Sequence, residues 1–118
     1  MASQSYPELN KEVNQLLQKC AKESPDVMEG FMKMHEATSK DGALSGKIKE
    51  LIALAIGITV RCDGCIAFHM HDAMKAGATR EEIAETVGVS ILMGGGPSVV
   101  YGSQALKALE QFEKVGLD

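Results

Sequence analysis

Aromatic residues are scarce in this sequence. Its 118 residues include no tryptophan, two tyrosines and three phenylalanines. The large rings that contribute most to many hydrophobic cores are therefore nearly missing, although hydrophobic residues still make up 45% of the chain. We expect aliphatic side chains and the seven methionines to fill the core of a single domain that spans residues 1–118.

Long hydrophobic runs and an excess of positive charge are missing too. The longest apolar stretch, Leu51–Val60, is too short to span a bilayer. The formal net charge of −4 argues against nucleic acid or an anionic membrane surface as a partner. Met1–Tyr6 is polar, and no apolar run of the signal-peptide type follows it. We therefore expect a cytoplasmic protein that binds neither nucleic acid nor membrane.

The chain has three cysteines, an odd number, whereas a secreted disulfide framework would require an even one. Cys62 and Cys65 form a CxxC pair, and Cys20 stands apart. In a reducing compartment such a pair is usually catalytic or metal-binding rather than a structural crosslink. We expect Cys62 and Cys65 to form a reversible disulfide. Cys20 falls on the apolar face of the first helix, where we expect a small buried hydrophobe.

The first half of the chain reads as helices, because its apolar residues recur at helical spacing. Pro7 suits the first turn of a first helix, and Ser24-Pro25 suits the start of a second. Ser45 is expected to cap a third helix over about 46–60. No alternating segment is long enough to support a sheet, so the sequence predicts an all-α fold.

Three further helices complete a bundle of about six. Asp63 is the expected N-cap of the fourth helix, which should stop at Gly77. Thr79–Glu82 has the pattern of a capping box and opens the fifth helix. Pro97 begins the sixth helix, which should end near Gly116.

Two of these helices carry more apolar surface than one small chain can cover. The third is apolar on all sides over Leu51–Ile56, which favours burial in the middle of the domain or in a subunit interface. The sixth offers a second apolar surface, formed by Val99, Val100, Leu106 and Leu109. We therefore expect a homo-oligomer.

The CxxC pair and the histidine that follows it are the most informative feature of the sequence. With Asp63 as cap, Cys65 would lie in the first turn of the fourth helix, where the helix dipole favours a thiolate. Cys62 is close enough to bond to it. His69 comes four residues after Cys65, on the same helical face, where it can take or give a proton.

Two further ionisable residues lie near this motif. His71 is rotated by about 200° from His69 around the helix, so it is expected to be structural or at the surface. Glu50 is the last charged residue before the apolar run and could orient His69, although it could equally be solvated. The motif supplies four possible zinc ligands, Cys62, Cys65, His69 and His71, but its two histidines face different directions. We therefore expect no metal and no cofactor.

The combined motif resembles the alkylhydroperoxidase D-like, carboxymuconolactone decarboxylase superfamily. The resemblance is carried by Cys62–His69 and by Ala73–Ile83, and it extends back through Lys47–Ala55. It covers roughly Phe31–Phe112, most of the chain. It implies an all-α fold that assembles as trimers or hexamers, and a peroxidase or disulfide-reductase activity in antioxidant defence.

The resemblance also implies roles for individual residues. Cys65 attacks the peroxide substrate, Cys62 resolves the sulfenic acid to a disulfide, and His69 with Glu50 forms a proton relay. An external dithiol or a protein disulfide reductant would then reduce the disulfide. One position departs from the best-known branch of the family, which has histidine where this chain has Gly64. That branch also has two related halves, whereas this chain has a single copy.

Four alternatives to peroxidase activity stay open at this point. The same residues could serve mainly to pass electrons to another peroxidase, or the pair could be a redox sensor without turnover. A metal-binding helical domain is the third alternative, and a lyase of the carboxymuconolactone decarboxylase type is the fourth. It is disfavoured because that branch generally lacks the CxxC pair.

Overall fold

The computed structural model describes residues 4–118, which form six helices and, within that range, no strand. This confirms the predicted all-α fold. The helices are α1 (Tyr6–Glu23), α2 (Pro25–Ser39), α3 (Gly46–Thr59), α4 (Asp63–Lys75), α5 (Arg80–Gly94) and α6 (Gly96–Val115).

Most helix ends are formed by the residues that the sequence predicted. The Ser45 hydroxyl accepts the backbone N–H of Ile48 at the start of α3. Thr79 and Glu82 form a complete capping box at the start of α5. Gly77 follows α4 with a φ of 94°, a conformation that glycine adopts without steric cost.

The start of α4 differs from the prediction. Its N-cap is Cys62, and Asp63 is the first helical residue. The cause is the tight turn that ends α3: Arg61 adopts a left-handed φ of 61°, and the Cys62 N–H donates to the Gly57 carbonyl at 3.0 Å. Cys62 is then already extended, which is the conformation an N-cap requires.

The core is mainly aliphatic, as the composition suggested. Leu54 and Ile58 of α3 and Ile66 and Met70 of α4 are completely buried, so these two helices lie at the centre of the molecule. The other buried hydrophobic residues are Tyr6, Leu51, Ala67, Ala73, Ile83, Val87, Ala105, Ala108, Leu109 and Phe112.

Two expectations about buried and exposed faces were wrong. Cys20 is exposed rather than buried, because α1 buries only Tyr6 and Asn10 near its N-terminal end. Leu109 is buried rather than part of an apolar surface patch, and Leu106 packs against the core. The large apolar side chains exposed on α6 are Val99 and Val100 near its N-terminal end and Val115 at its C-terminal end.

Helix α3 is buried on one side and exposed on the other. Ile48, Ile52 and Ile56 recur every four residues, so they form one stripe along the helix. All three are exposed, Ile56 to 56%. Further apolar side chains are exposed on α5, at Val89, Leu92 and Met93. Aliphatic residues at this density on a surface are typical of a protein interface.

Close packing between α5 and α6 depends on Gly102. A Cβ atom at this position would lie 2.7 Å from Cγ1 of Val87, closer than real Cβ contacts. We expect Gly102→Ala to lower the free energy of unfolding by about 1–3 kcal/mol, because the two helices must move apart. Gly88→Ala is the matched control, since Gly88 is exposed on α5 with open space around it. Urea denaturation in which both variants matched the wild type would contradict the packing described here.

Candidate active site

The turn between α3 and α4 places both cysteines of the CxxC motif at the start of α4. The structure joins Cys62 and Cys65 in a disulfide, with their Cα atoms 5.2 Å apart. Cys20 is a free cysteine, in keeping with its predicted exclusion from the pair. A Cβ atom at Gly57 of α3 would lie 3.1 Å from the Cβ of Cys65. The backbone of α3 therefore packs directly against Cys65.

The N-terminus of α4 makes its side-chain cap contact with the sulfur of Cys62. The Cys62 Sγ atom accepts the backbone N–H of Cys65 at 3.1 Å. The sequence predicted that the helix terminus would stabilise a thiolate at Cys65, because it assigned the cap to Asp63. Because Cys62 is the cap, the contact with the first free amides of the helix goes to the Cys62 sulfur.

Glu50 and His69 form a partly buried pair between α3 and α4. The Oε2 atom of Glu50 lies 2.9 Å from Nδ1 of His69, and their side chains are 14% and 22% exposed. An ionised carboxylate can only accept a hydrogen bond, so Nδ1 carries the proton. In a neutral ring Nε2 is then left with a free lone pair. The structure therefore brings together the two residues expected to form a relay.

His69 and both cysteines line one cavity of about 320 Å³ between α1, α2 and α4. Its remaining lining is mainly apolar, with Val13, Leu17, Phe31, Met32, Gly64 and Phe68, and it also includes Asn14 and His35. Glu50 lies outside this cavity and lines a neighbouring cleft, which it shares with His69. The imidazole therefore stands between the carboxylate and the space next to the cysteines.

Gly64 is covered by α1. A Cβ atom at Gly64 would lie 3.1 Å from Cγ2 of Val13. A histidine at this position, as in the best-known branch of the family, would require the Val13 side chain or α1 to shift. Any proton relay in this chain therefore depends on His69 without a second histidine between the cysteines.

His71 is held away from the cysteines, as its rotation around the helix predicted. Its Nδ1 lies 2.8 Å from Oδ1 of Asp72, and its Nε2 lies 2.6 Å from the carbonyl oxygen of Leu117. The ring thus connects α4 to the end of the chain after α6. This arrangement indicates a structural role.

Tyr6 contacts the start of α4 next to the cysteines, and the sequence reasoning missed it. Its hydroxyl lies 3.0 Å from Oδ1 of Asp63 and 2.8 Å from Oε1 of Gln104. Asp63 stands between the two cysteines in the sequence. Burial, followed by the contact with Asp63, raises the pKa of Tyr6 well above its usual value, so the hydroxyl stays protonated. No sequence signal marked this tyrosine, since its contacts are 57 and 98 residues away.

His35 was missed as well, although it lines the cavity with the cysteines. It lies one helical turn after Phe31 and Met32, which also line that cavity. A polar residue among these apolar neighbours was the only signal in the sequence. It was too weak to connect α2 with a motif almost thirty residues later.

Neither a metal centre nor a membrane span is found in the part of the chain that the structure describes. No cluster of three or more histidine, cysteine, aspartate or glutamate side chains there could hold a metal ion. No helix within residues 4–118 is long and apolar enough to cross a membrane.

Comparison with known proteins places this architecture in a family. The model of the carboxymuconolactone decarboxylase family matches residues 25–108. An uncharacterized protein of Cupriavidus necator is 39% identical over 95 residues, which cover 80% of this chain and 84% of the relative. An uncharacterized protein of the cox locus of Paracoccus denitrificans is 31% identical over 87 residues, which cover 74% of this chain and 78% of the relative.

Solved structures show the same similarity. A carboxymuconolactone decarboxylase family protein from Legionella pneumophila, in its apo form, is 46% identical with a TM-score of 0.87. The alignment covers 91% of this chain and 96% of that one. A Thermotoga maritima family member, for which involvement in the antioxidative response has been suggested, is 27% identical with a TM-score of 0.77. Here 92% of this chain and 96% of the other are covered.

Proposed function

The chain belongs to the carboxymuconolactone decarboxylase family, and on that premise we propose that it is a cytoplasmic, thiol-dependent peroxidase active in antioxidant defence. One observation carries the proposal. The Cys62–Cys65 pair and His69, with Glu50 behind it, meet at a single apolar cavity. A redox pair, an acid/base group and a space for a substrate are what peroxide reduction by thiols requires.

The first step is the attack of Cys65 on the peroxide. His69 takes the thiol proton, and Glu50 stabilises the resulting imidazolium through the Nδ1 hydrogen bond. The thiolate attacks the terminal oxygen of ROOH, so that an S–O bond forms and the O–O bond breaks. The leaving RO⁻ takes the proton from His69 and departs as ROH. The sulfur is oxidised to a sulfenic acid while the peroxide is reduced.

The second step closes the disulfide. Cys62 attacks the sulfenic sulfur of Cys65, the S–O bond breaks, and water leaves. The backbone amide at Cys62 Sγ supports this role, because it favours the anionic form of the attacking sulfur. An external dithiol or protein disulfide reductant then restores both thiols by exchange. Cys62 is the better leaving thiolate in that exchange, so we propose that the reductant attacks Cys65.

A turnover assay tests this proposal. Purified protein is mixed with excess dithiothreitol and an organic hydroperoxide, and peroxide loss is followed over time. We expect many equivalents of peroxide to be consumed per protein chain. Consumption that stopped at one equivalent would identify a redox sensor rather than an enzyme. No consumption at all would reject the proposal.

We also propose that the active protein is a homo-oligomer, a trimer or hexamer. A compact monomer of 12.6 kDa is expected to expose about 6,200 Å². This chain exposes 7252 Å². The chain therefore exposes about 1,000 Å² more surface than an average monomer of its mass. The isoleucine stripe of α3, formed by Ile48, Ile52 and Ile56, is the apolar surface best suited to a second copy.

Light scattering coupled to size exclusion tests the assembly. We expect a mass three or six times that of the chain, and we expect Ile56→Glu to shift it towards the monomer because a charge in an apolar interface is costly. Gln18→Glu is the matched control, since it adds the same charge at an exposed position of α1. A wild-type mass near 12.6 kDa at micromolar concentration would contradict this prediction.

A further inference from the structure

His35 holds a buried ring nitrogen that nothing in the described part of the protein satisfies. Its Nε2 atom is shielded from solvent and has no hydrogen-bond partner there. Burying such a group without a partner costs about 1–3 kcal/mol. Buried polar groups in native proteins are nearly always paired, so the partner of this nitrogen has to come from outside the described residues, as a water or as a bound molecule.

The position of His35 indicates which molecule that is. His35 lines the cavity that contains Cys62, Cys65 and His69, and it also lines the cleft of Glu50. Its ring stands edge-on to Phe68, with centroids 6.1 Å apart, and Phe68 stands edge-on to His69 at 5.1 Å. The three rings form one wall of the site. They bring a second imidazole to the space where the peroxide must bind.

We propose that His35 is a further catalytic residue, whose Nε2–H donates a hydrogen bond to the leaving oxygen of the peroxide. This inference rests on the proposed peroxidase function. As the Cys65 thiolate attacks the terminal oxygen, the O–O bond breaks and negative charge develops on the RO oxygen. His35 stabilises that charge, and His69 delivers the proton that makes ROH. A fixed donor at a developing oxyanion is an effective form of catalysis.

The low burial of helix α2 gives the ligand a way to reach the Nε2 atom of His35. None of its residues is buried in this structure, although it supplies Phe31, Met32 and His35 to the cavity wall. A helix held by so little buried surface can move outward at low cost. The covered nitrogen therefore becomes accessible when a substrate enters between α2 and α4.

Rapid-mixing experiments on two variants test the role. Prereduced protein is mixed with excess peroxide, and disulfide formation is followed. We expect His35→Phe to slow the peroxide-dependent step by about 10- to 100-fold, the value of one hydrogen bond to a charged group. His35→Gln places an amide nitrogen near the Nε2 position and should recover most of the rate. His35→Asn, whose amide lies nearer the Nδ1 position, should recover little.

Two further readouts separate catalysis from a structural role. Reduction of the disulfide by dithiothreitol should be unchanged in His35→Phe, since it involves no peroxide oxygen. The melting temperature of His35→Phe should equal or exceed that of the wild type, because an unpaired buried nitrogen has been removed. If the role of His35 were purely structural, His35→Phe would lower the melting temperature and would slow both the peroxide-dependent step and the reduction of the disulfide.

The outcomes distinguish this inference from the function on which it rests. A wild type that consumes peroxide, together with a His35→Phe variant within twofold of its rate, would overturn the role of His35 alone. Equal rates in His35→Gln and His35→Asn would overturn it too, and this comparison remains decisive if the phenylalanine variant fails to fold. A wild type that does not react with peroxide would overturn both proposals.

Discussion

Replacement of Cys65 by serine is expected to lower peroxide turnover by about 10³-fold or more, because the attacking sulfur is lost. The fold should survive, since the change is nearly isosteric and the disulfide spans only three residues. Cys20→Ser is the matched control. Cys20 is exposed and free, so this variant should keep the wild-type rate. Turnover by Cys65→Ser at the wild-type rate would contradict the mechanism.

The same pair of cysteines allows the two sulfur roles to be assigned. With Cys62 replaced by serine, a single peroxide reaction should leave a sulfenic acid on Cys65 that a dimedone-type reagent can trap. The Cys65→Ser variant should give no such adduct on Cys62. The opposite labelling pattern would mean that the helix terminus, which acts on Cys62 in this structure, also selects the attacking sulfur.

Glu50→Gln and His69→Phe are each expected to slow turnover by about 10²-fold, the usual range for a lost general acid or base. The two residues are joined by a 2.9 Å contact, so they should act as one unit. The double variant should therefore be little slower than either single variant. Steady-state rates with saturating dithiothreitol provide the measurement.

Glu85→Gln is the control for this pair, since Glu85 is an exposed carboxylate on α5. Its turnover should match that of the wild type. If the effects of Glu50→Gln and His69→Phe were small and multiplied in the double variant, the two residues would not form a relay.

The sequence predicted the local features of this fold well. The capping box at Thr79 and Glu82 and the cap at Ser45 are interactions between residues three apart. The pairing of Cys62 with Cys65 is equally local. Such features follow from residue type and spacing alone, because the groups that interact are already neighbours along the chain.

The contact between Glu50 and His69 was a different kind of prediction. Periodicity placed each residue on its own helix, but it could not say that α3 and α4 would pack with these faces together. The family resemblance supplied the pairing, and the structure places the two side chains 2.9 Å apart.

Features that depend on how the helices pack could not be predicted from the sequence. Cys20 was expected to be buried because its neighbours are apolar, but α1 contacts the core only near its N-terminal end. Tyr6 reaches Asp63 at the start of α4, and His35 reaches the cavity, from helices that precede the CxxC motif by many residues. The cap at α4 was misassigned by one residue because Arg61 ends α3 in a left-handed conformation that is unusual for arginine.

The central claim is that the thiols of Cys62 and Cys65 reduce peroxide directly, and a single-turnover titration tests it most directly. Fully reduced protein is mixed with one equivalent of hydroperoxide per chain, without any reductant. Remaining peroxide and the mass of the intact chain are then measured together. We predict that the peroxide disappears, one equivalent of ROH forms, and the chain loses two hydrogen atoms at a Cys62–Cys65 bond. Unchanged peroxide with both thiols still free would contradict this account.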